Sequence, residues 1–301
     1  MTIFEELDRE LLPGFERLML PGLSGDMLTL VGGSGPPLLL LHGDPQTHLC
    51  WHSIAPKLAE QYTVVLADLR GRGESHKPER TSDHRHYSKR LMATEQVRIM
   101  ERLGFDVFRV VGHDRGARVA RRMALDYPDK VERLAVMDIV PVLDFYERAT
   151  SAVAQDYFYF FFLTQPFPVP DRLIAGDPRA FMGDILTSLT KPGFNYHPGA
   201  LEAYLAASTT EESINSICEC FRAGISSDVE DDKASRSAGR RITCPTLVFW
   251  GELGVVGRYF DMQRIWSDWA APVSFAPMPC GHFIPEEEPE LTATHLIRFL
   301  Q

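Results

Sequence analysis

Short, wholly apolar runs alternate with segments of helical spacing along the first half of the chain. Pro37-Leu-Leu-Leu-Leu41 reads as a buried strand that ends at His42-Gly43-Asp44-Pro45. From Trp51 to Gln61 the apolar positions Trp51, Ile54, Ala55 and Leu58 follow a helical period. Thr63-Val-Val-Leu-Ala67 is a second strand, broken by Asp68-Leu-Arg-Gly-Arg-Gly73. Leu91 to Leu103 reads as a helix closed by Gly104. Phe108-Arg-Val-Val111 is a strand that runs through Gly112-His-Asp-Arg-Gly116 into a helix reaching about Tyr127. Leu134-Ala-Val-Met137 follows, ending at Asp138. Much later come the strands Thr246-Leu-Val-Phe-Trp250 and Val273-Ser-Phe275, separated by a helix around Phe260 to Trp269.

Alternation of this kind predicts an α/β fold, a mostly parallel sheet with helices on both faces. The stretch from 141 to 242 breaks the rhythm. It is aromatic-rich from Tyr157 to Phe162, carries Pro166, Pro168 and Pro170, and then reads as helices. About a hundred residues exceed what a simple crossover needs. The expected division is therefore a core of residues 1–140 and 243–301 with an inserted helical cap over 141–242.

Composition narrows the picture only a little. The 301 residues include 45% hydrophobic and 24% charged positions, ordinary for a globular chain. A net charge of −10 argues against nucleic acid or an anionic membrane as partner. Five scattered cysteines (Cys50, Cys218, Cys220, Cys244, Cys280) lack metal-ligand spacing and suit free thiols in a reducing cytoplasm. Met1 to Arg17 has no basic n-region followed by an apolar stretch, so no signal peptide is expected. The run Phe158 to Leu163 is too short to span a bilayer.

Three segments carry chemistry. Gly112-His-Asp114-Arg-Gly116, between a strand and a helix, has the G-x-nucleophile-x-G form of a nucleophile elbow, with Asp in the place usually held by Ser. The plain alternative is a strand–turn–helix junction with an incidental Asp cap. Gly281-His282, just after the last strand, supplies a histidine in the expected nucleophile-before-histidine order. The acid that orients it is Asp138 or Glu252. The Gly-x-x-Asp spacing common after the later strand here delivers Gly254, which favours Asp138. His42-Gly43-Asp44-Pro45 lies at the usual oxyanion-loop location, so backbone N–H groups of residues 44 and 115 are expected to converge on one Asp114 oxygen. Arg115 follows the nucleophile, and Arg118 lies one helical turn beyond it. Together they can grip a substrate carboxylate or simply neutralise local acids.

With these residues, the chain resembles the fluoroacetate (haloacetate) dehalogenases of the α/β-hydrolase superfamily. The resemblance runs through Pro45-Gln-Thr-His48, Gly112-His-Asp-Arg-Gly-Ala-Arg118, Leu134-Ala-Val-Met-Asp138-Ile, Phe162-Leu-Thr-Gln-Pro166, Arg222-Ala-Gly224 and Gly281-His-Phe-Ile-Pro-Glu286. It implies Asp114 as nucleophile, Asp138 and His282 completing a triad, both arginines on the substrate carboxylate, and no cofactor. The departures are specific. The family's halide-binding His-Trp pair falls on Tyr159-Phe160, its third halide donor, a Tyr, falls on Phe221, and the oxyanion-loop residue, usually Phe, is Asp44.

The expected activity is thus a haloacetate dehalogenase acting on a small molecule through an alkyl ester on Asp114, with chloride and bromide released better than fluoride. An epoxide hydrolase, with Tyr159 or Tyr204 as proton donor, is the second reading. A hydrolase fold kept only as a ligand receptor is the third. A homodimer is left open.

Overall fold

The computed structural model describes residues 2–301. Eight strands form one sheet in the order β1-β2-β4-β3-β5-β6-β7-β8. Strands β1 (Glu16–Pro21) and β2 (Asp26–Gly32) are antiparallel, and β2 pairs antiparallel to β4 (Thr63–Ala67). From there every pairing is parallel, through β3 (Pro37–Leu41), β5 (Phe108–His113), β6 (Val131–Met137), β7 (Thr246–Gly251) and β8 (Val273–Met278). The central strands read as continuous apolar runs because helices cover both faces. Leu38 to Leu41, Val110, Val111 and Leu134 to Met137 are fully buried.

The expected strands are all present, several of them longer at one or both ends than the apolar runs. Two further strands, β1 and β2, lie at the mixed edge, where β1 alternates exposed and half-buried positions. The expected helix over 51–61 is instead a 3₁₀ turn, His48–Trp51, and a single α-turn, α2 (Ala55–Leu58), although Trp51, Ile54, Ala55 and Leu58 are all buried as their spacing requires. An N-terminal helix, α1 (Ile3–Leu11), closes on the core through a capping box at Thr2 and Glu5. His48 bridges it to the sheet: Nδ1 lies 2.8 Å from Asp68 and Nε2 lies 2.7 Å from Asp8. Burial opposes the His48 charge, yet the two carboxylates outweigh it and raise its pKa to about 10.

Helix α3 (Lys89–Arg102) begins at Ser88, whose hydroxyl accepts the Leu91 N–H. Helix α4 (Arg115–Asp126) packs on β3, β5 and β6. Between β6 and β7 the chain is helical from Val142–Arg148 to Val229–Ser237, including a π-helical turn at Gly224–Asp228. Asp44, Asp114, Asp138 and His282 therefore follow the carboxyl ends of the parallel strands β3, β5, β6 and β8, where open α/β sheets place their ligands, while Tyr159, Phe160 and Phe221 come from the helices between β6 and β7. No helix among the described residues is long and apolar enough to cross a membrane.

Candidate active site

Asp114 sits in the turn between β5 and α4 with φ 45°, a conformation that L-residues rarely adopt. The turn is too tight for side chains on either side. A Cβ on Gly112 would lie 2.5 Å from the Ala117 nitrogen, and one on Gly116 would lie 2.2 Å from the Leu41 carbonyl oxygen. Neighbouring backbone holds the turn in place, with the Asp114 N–H donating to Met137 at 3.1 Å and the Gly116 N–H to His42 at 2.9 Å. The Asp44 N–H donates to Asp114 Oδ1 at 2.9 Å. The expected partner donor, the Arg115 N–H, makes no hydrogen bond to Asp114 among the described residues.

His282 and Asp138 meet across the sheet end. His282 Nδ1 is 2.6 Å from Asp138 Oδ2, while Asp138 Oδ1 accepts the Gly251 N–H at 2.9 Å. Asp138 is also at positive φ (53°), a second strained position at the mouth of the sheet. Glu252, the other candidate acid, is exposed. His282 Nε2 points at Asp114 Oδ2 from 3.8 Å, beyond hydrogen-bond range. The histidine loop is clamped by a residue the sequence did not single out. Glu287 accepts the Gly281 N–H at 2.9 Å and the Phe283 N–H at 2.8 Å.

The charges are arranged around Asp114. Burial pushes its carboxyl up, but Arg115 and His282 outweigh this and hold it well below the usual carboxylate range. Burial works against the His282 imidazolium. The hydrogen bond and charge of Asp138, together with the charge of Asp114, overcome it and leave the pKa raised. His113, directly before Asp114, is pushed down to about 3 by burial and by His282, and is neutral at pH 7.

Asp44 does not stand as a free charge beside Asp114. Its carboxylate pairs with the Arg72 guanidinium through two hydrogen bonds and lies 3.3 Å from Arg115 Nε. Burial would raise its pKa, but these two cations lower it. Arg72 lies in the Asp68 to Gly73 turn, which the sequence marked only as the end of a strand. The rings in the expected halide positions serve the arginines as well. The Arg115 guanidinium carbon lies 3.5 Å from the Phe221 ring centre and 5.1 Å from that of Phe160, and Arg118 lies 5.4 Å from Phe160. Among the described residues Arg118 forms no ion pair, and its Nε and Nη1 are buried without an acceptor. Arg115 Nη2 is in the same state. Burial, with Arg115 close by, lowers the Arg118 pKa, as expected for a cation without a counter-charge.

A cavity of about 20 Å³ opens on Asp114, between Asp44, Tyr159, Phe160, Phe221 and His282. It has room for a group of a few atoms. The arginines lie one layer out, behind the aromatic rings. Tyr159 supplies the hydroxyl on the cavity wall, and burial raises its pKa well above the ordinary phenol value, so it stays protonated. Tyr204 is elsewhere, its hydroxyl donating to Glu286 at 3.1 Å. The expectation that Tyr204 could serve as a proton donor is corrected by that placement. A much larger groove, about 850 Å³, lies at the surface between Lys77–Arg80 and Phe167–Arg172, away from both Asp114 and His282.

A parallel sheet with a strained acidic elbow and a facing His–Asp pair defines a hydrolase, and the comparisons agree. Residues 36–289 match the model of the alpha/beta hydrolase fold, and the chain belongs to that family. Within it the chain is dehalogenase-like. It is 43% identical over 288 residues to a fluoroacetate dehalogenase of Burkholderia sp, covering 95% of this chain and 94% of that one. A soluble epoxide hydrolase of Corynebacterium sp. (strain C12) is 33% identical over 90% of this chain and 92% of its own. A solved structure from Nostoc sp PCC 7120 superposes with a TM-score of 0.93 at 43% identity, covering 95% and 98% of the two chains.

Proposed function

We propose that this hydrolase displaces a leaving group from a small carboxylate-bearing substrate, as a haloacetate dehalogenase, with Asp114 as nucleophile. The observation that carries this is the facing pair at the strand ends. Asp114 has one oxygen held by the Asp44 N–H and the other facing His282 Nε2 across 3.8 Å. In this reading Asp114 attacks the carbon bearing the halogen, the carbon–halogen bond breaks, and the halide leaves as an alkyl ester forms. The low Asp114 pKa means that the attacking carboxylate is ionised at any neutral pH.

Water then occupies the space between His282 and the ester. Esterification removes the Asp114 charge, one of the causes that raise the His282 pKa, so the imidazole loses its proton more readily at the step where a neutral base is needed. His282 Nε2 takes a proton from the water, whose oxygen attacks the ester carbonyl. The Asp44 N–H stabilises the tetrahedral oxyanion. Collapse breaks the bond from the carbonyl carbon to the alkyl oxygen, which takes the proton from His282 Nε2 and leaves as the hydroxy acid, while Asp114 returns and gives its own proton up to solvent. Asp138 holds Nδ1 in the tautomer that leaves Nε2 free.

Arg118, with Arg115 beside it, is the proposed carboxylate anchor, supported by their buried N–H groups without acceptors. Asp44 sets the orientation of Arg115. Tyr159, Phe160 and Phe221 form the leaving-group wall, and the proposed chemistry calls on no cofactor. Residues 141–242 act as a cap over a core of residues 1–140 and 243–301, in a cytoplasm that keeps the five cysteines reduced.

Epoxide opening is the second reading, favoured by the Tyr159 hydroxyl on the cavity wall and by the epoxide-hydrolase relative. The experiment that separates them is a panel of haloacetates assayed for halide release beside small epoxides assayed for diol. Haloacetate turnover with no diol supports the proposal. Diol formation without halide release replaces it.

A further inference from the structure

We propose that the protein holds a second small-anion site, suited to a halide ion, in a separate buried cavity behind the catalytic one. This cavity, about 20 Å³, lies against the outer turns of α4 and is lined by Lys89, Arg118, Arg121, Arg122, Asp228 and Asp232. All six side chains are at least nine-tenths buried.

Most of the cations here are already neutralised. Arg121 pairs with Asp232 at 2.7 Å, Arg122 with Asp126 at 2.7 Å, and Lys89 with Asp228 at 3.1 Å. Arg90, next to Lys89 in α3, pairs with Asp231. Arg118 is the fifth cation against four carboxylates; a bound substrate carboxylate would take up its charge, so the surplus positive charge belongs to the substrate-free protein.

The hydrogen-bond inventory points the same way. Five N–H positions on the cavity side chains have no acceptor: Nε and Nη1 of Arg118, Nε and Nη2 of Arg121, and Nε of Arg122. The acceptor left over is Asp228 Oδ2, and that oxygen faces the Lys89 ammonium. A water molecule brings two hydrogens of its own that need acceptors, and this cavity has almost none to offer. A halide ion only accepts, so it satisfies several N–H groups at once and cancels the surplus charge. The cavity, about 20 Å³, is on the scale of one small ion. Arg121 is fixed for the purpose, its guanidinium carbon 4.0 Å from the Trp269 ring centre. Arg118 joins the two cavities, since its other contact is the Phe160 ring on the catalytic wall.

Crystals of the full chain soaked in sodium bromide and measured at the bromine absorption edge test this directly, without reference to turnover. The expected result is an anomalous peak in contact with the Arg118, Arg121 and Arg122 N–H groups, absent from the Arg121→Gln protein. Should that variant not fold, the wild-type map decides alone. Water density there with no anomalous signal, while bromide occupies other sites on the molecule, overturns the proposal. So does a peak that persists unchanged in Arg121→Gln.

Discussion

Gly254 lies beside Asp138: a Cβ built on Gly254 would be 3.7 Å from Asp138 Oδ2, with other contacts no closer than 3.4 Å. The two chain positions at which an α/β hydrolase can carry its orienting acid thus converge on the same side of His282. Replacing Asp138 with Asn should lower turnover by several orders of magnitude, because the imidazole loses both its tautomer and its counter-charge. Adding Gly254→Asp to that variant should restore a large part of the loss, since the backbone at 254 is extended and accepts a side chain. Steady-state kinetics of the single and double variants check this. A double variant no faster than Asp138→Asn would show that the acid acts through Asp138 geometry that position 254 cannot reproduce.

Arg118 and Arg115 are not equivalent. Arg115 is already engaged by Asp44, whereas Arg118 has no carboxylate partner. Arg118→Leu should therefore cost acid substrates more than Arg115→Leu does, roughly 10- to 100-fold in kcat/KM for a lost charged hydrogen bond. Neutral amides of the same substrates should be affected much less. Equal losses on acids and amides would assign the pair to folding instead.

The Phe221 ring lines the catalytic cavity and stacks on Arg115, leaving Tyr159 as the hydroxyl donor on that wall. Fluoride, small and strongly hydrated, leaves poorly without donors aimed at its developing charge. Chloro- and bromoacetate should be turned over well above fluoroacetate, and Phe221→Tyr should shift the ratio toward fluoride. Fluoroacetate as the best of the three in the wild-type protein would contradict this.

Glu286 offers a test through pH. Burial, with Glu287 adding to it, raises its pKa well above the ordinary carboxyl value, and it accepts from Tyr204 and from Gln46. A carboxyl whose folded pKa is raised contributes its full stability below the unfolded value, about 4.3, and loses it as pH rises toward the folded pKa. Glu286→Gln keeps the shape without the proton. Its Tm should match the wild type near pH ~4 and exceed it increasingly as pH rises toward the folded pKa. Between the unfolded and the folded pKa the advantage should grow by about 1.4 kcal/mol for every step of one in pH. Thermal unfolding across that range measures it. A constant deficit at every pH would mean that Glu286 is held as a carboxylate.

Much of this was legible in the chain because the informative features are local. A parallel strand buried on both faces must be apolar throughout, so β3 to β7 announce themselves. The elbow is written in five consecutive residues, and the His282 loop in its Gly-His pair. What stayed hidden depends on tertiary pairing. Strand β1 lies at a partly solvated edge, where the apolar signal is diluted, and β2 interrupts its buried apolar run with Thr29. Arg72 became relevant only when folding brought it onto Asp44, 28 positions away. Phe160 and Phe221 entered through the resemblance as candidate leaving-group contacts, but nothing in the sequence marked them as platforms for the two guanidiniums. Glu287 directly follows the run from Gly281 to Glu286, yet its clamp on the histidine loop depends on a turn that spacing alone does not specify.

The central claim is that Asp114 forms a covalent ester that His282 helps to hydrolyse. Intact-protein and peptide mass spectrometry of His282→Ala after incubation with chloroacetate tests it most directly. The account predicts a carboxymethyl mass increase that accumulates with one halide released per chain and maps to Asp114. No adduct despite bound substrate, or an adduct on any other residue, would contradict it.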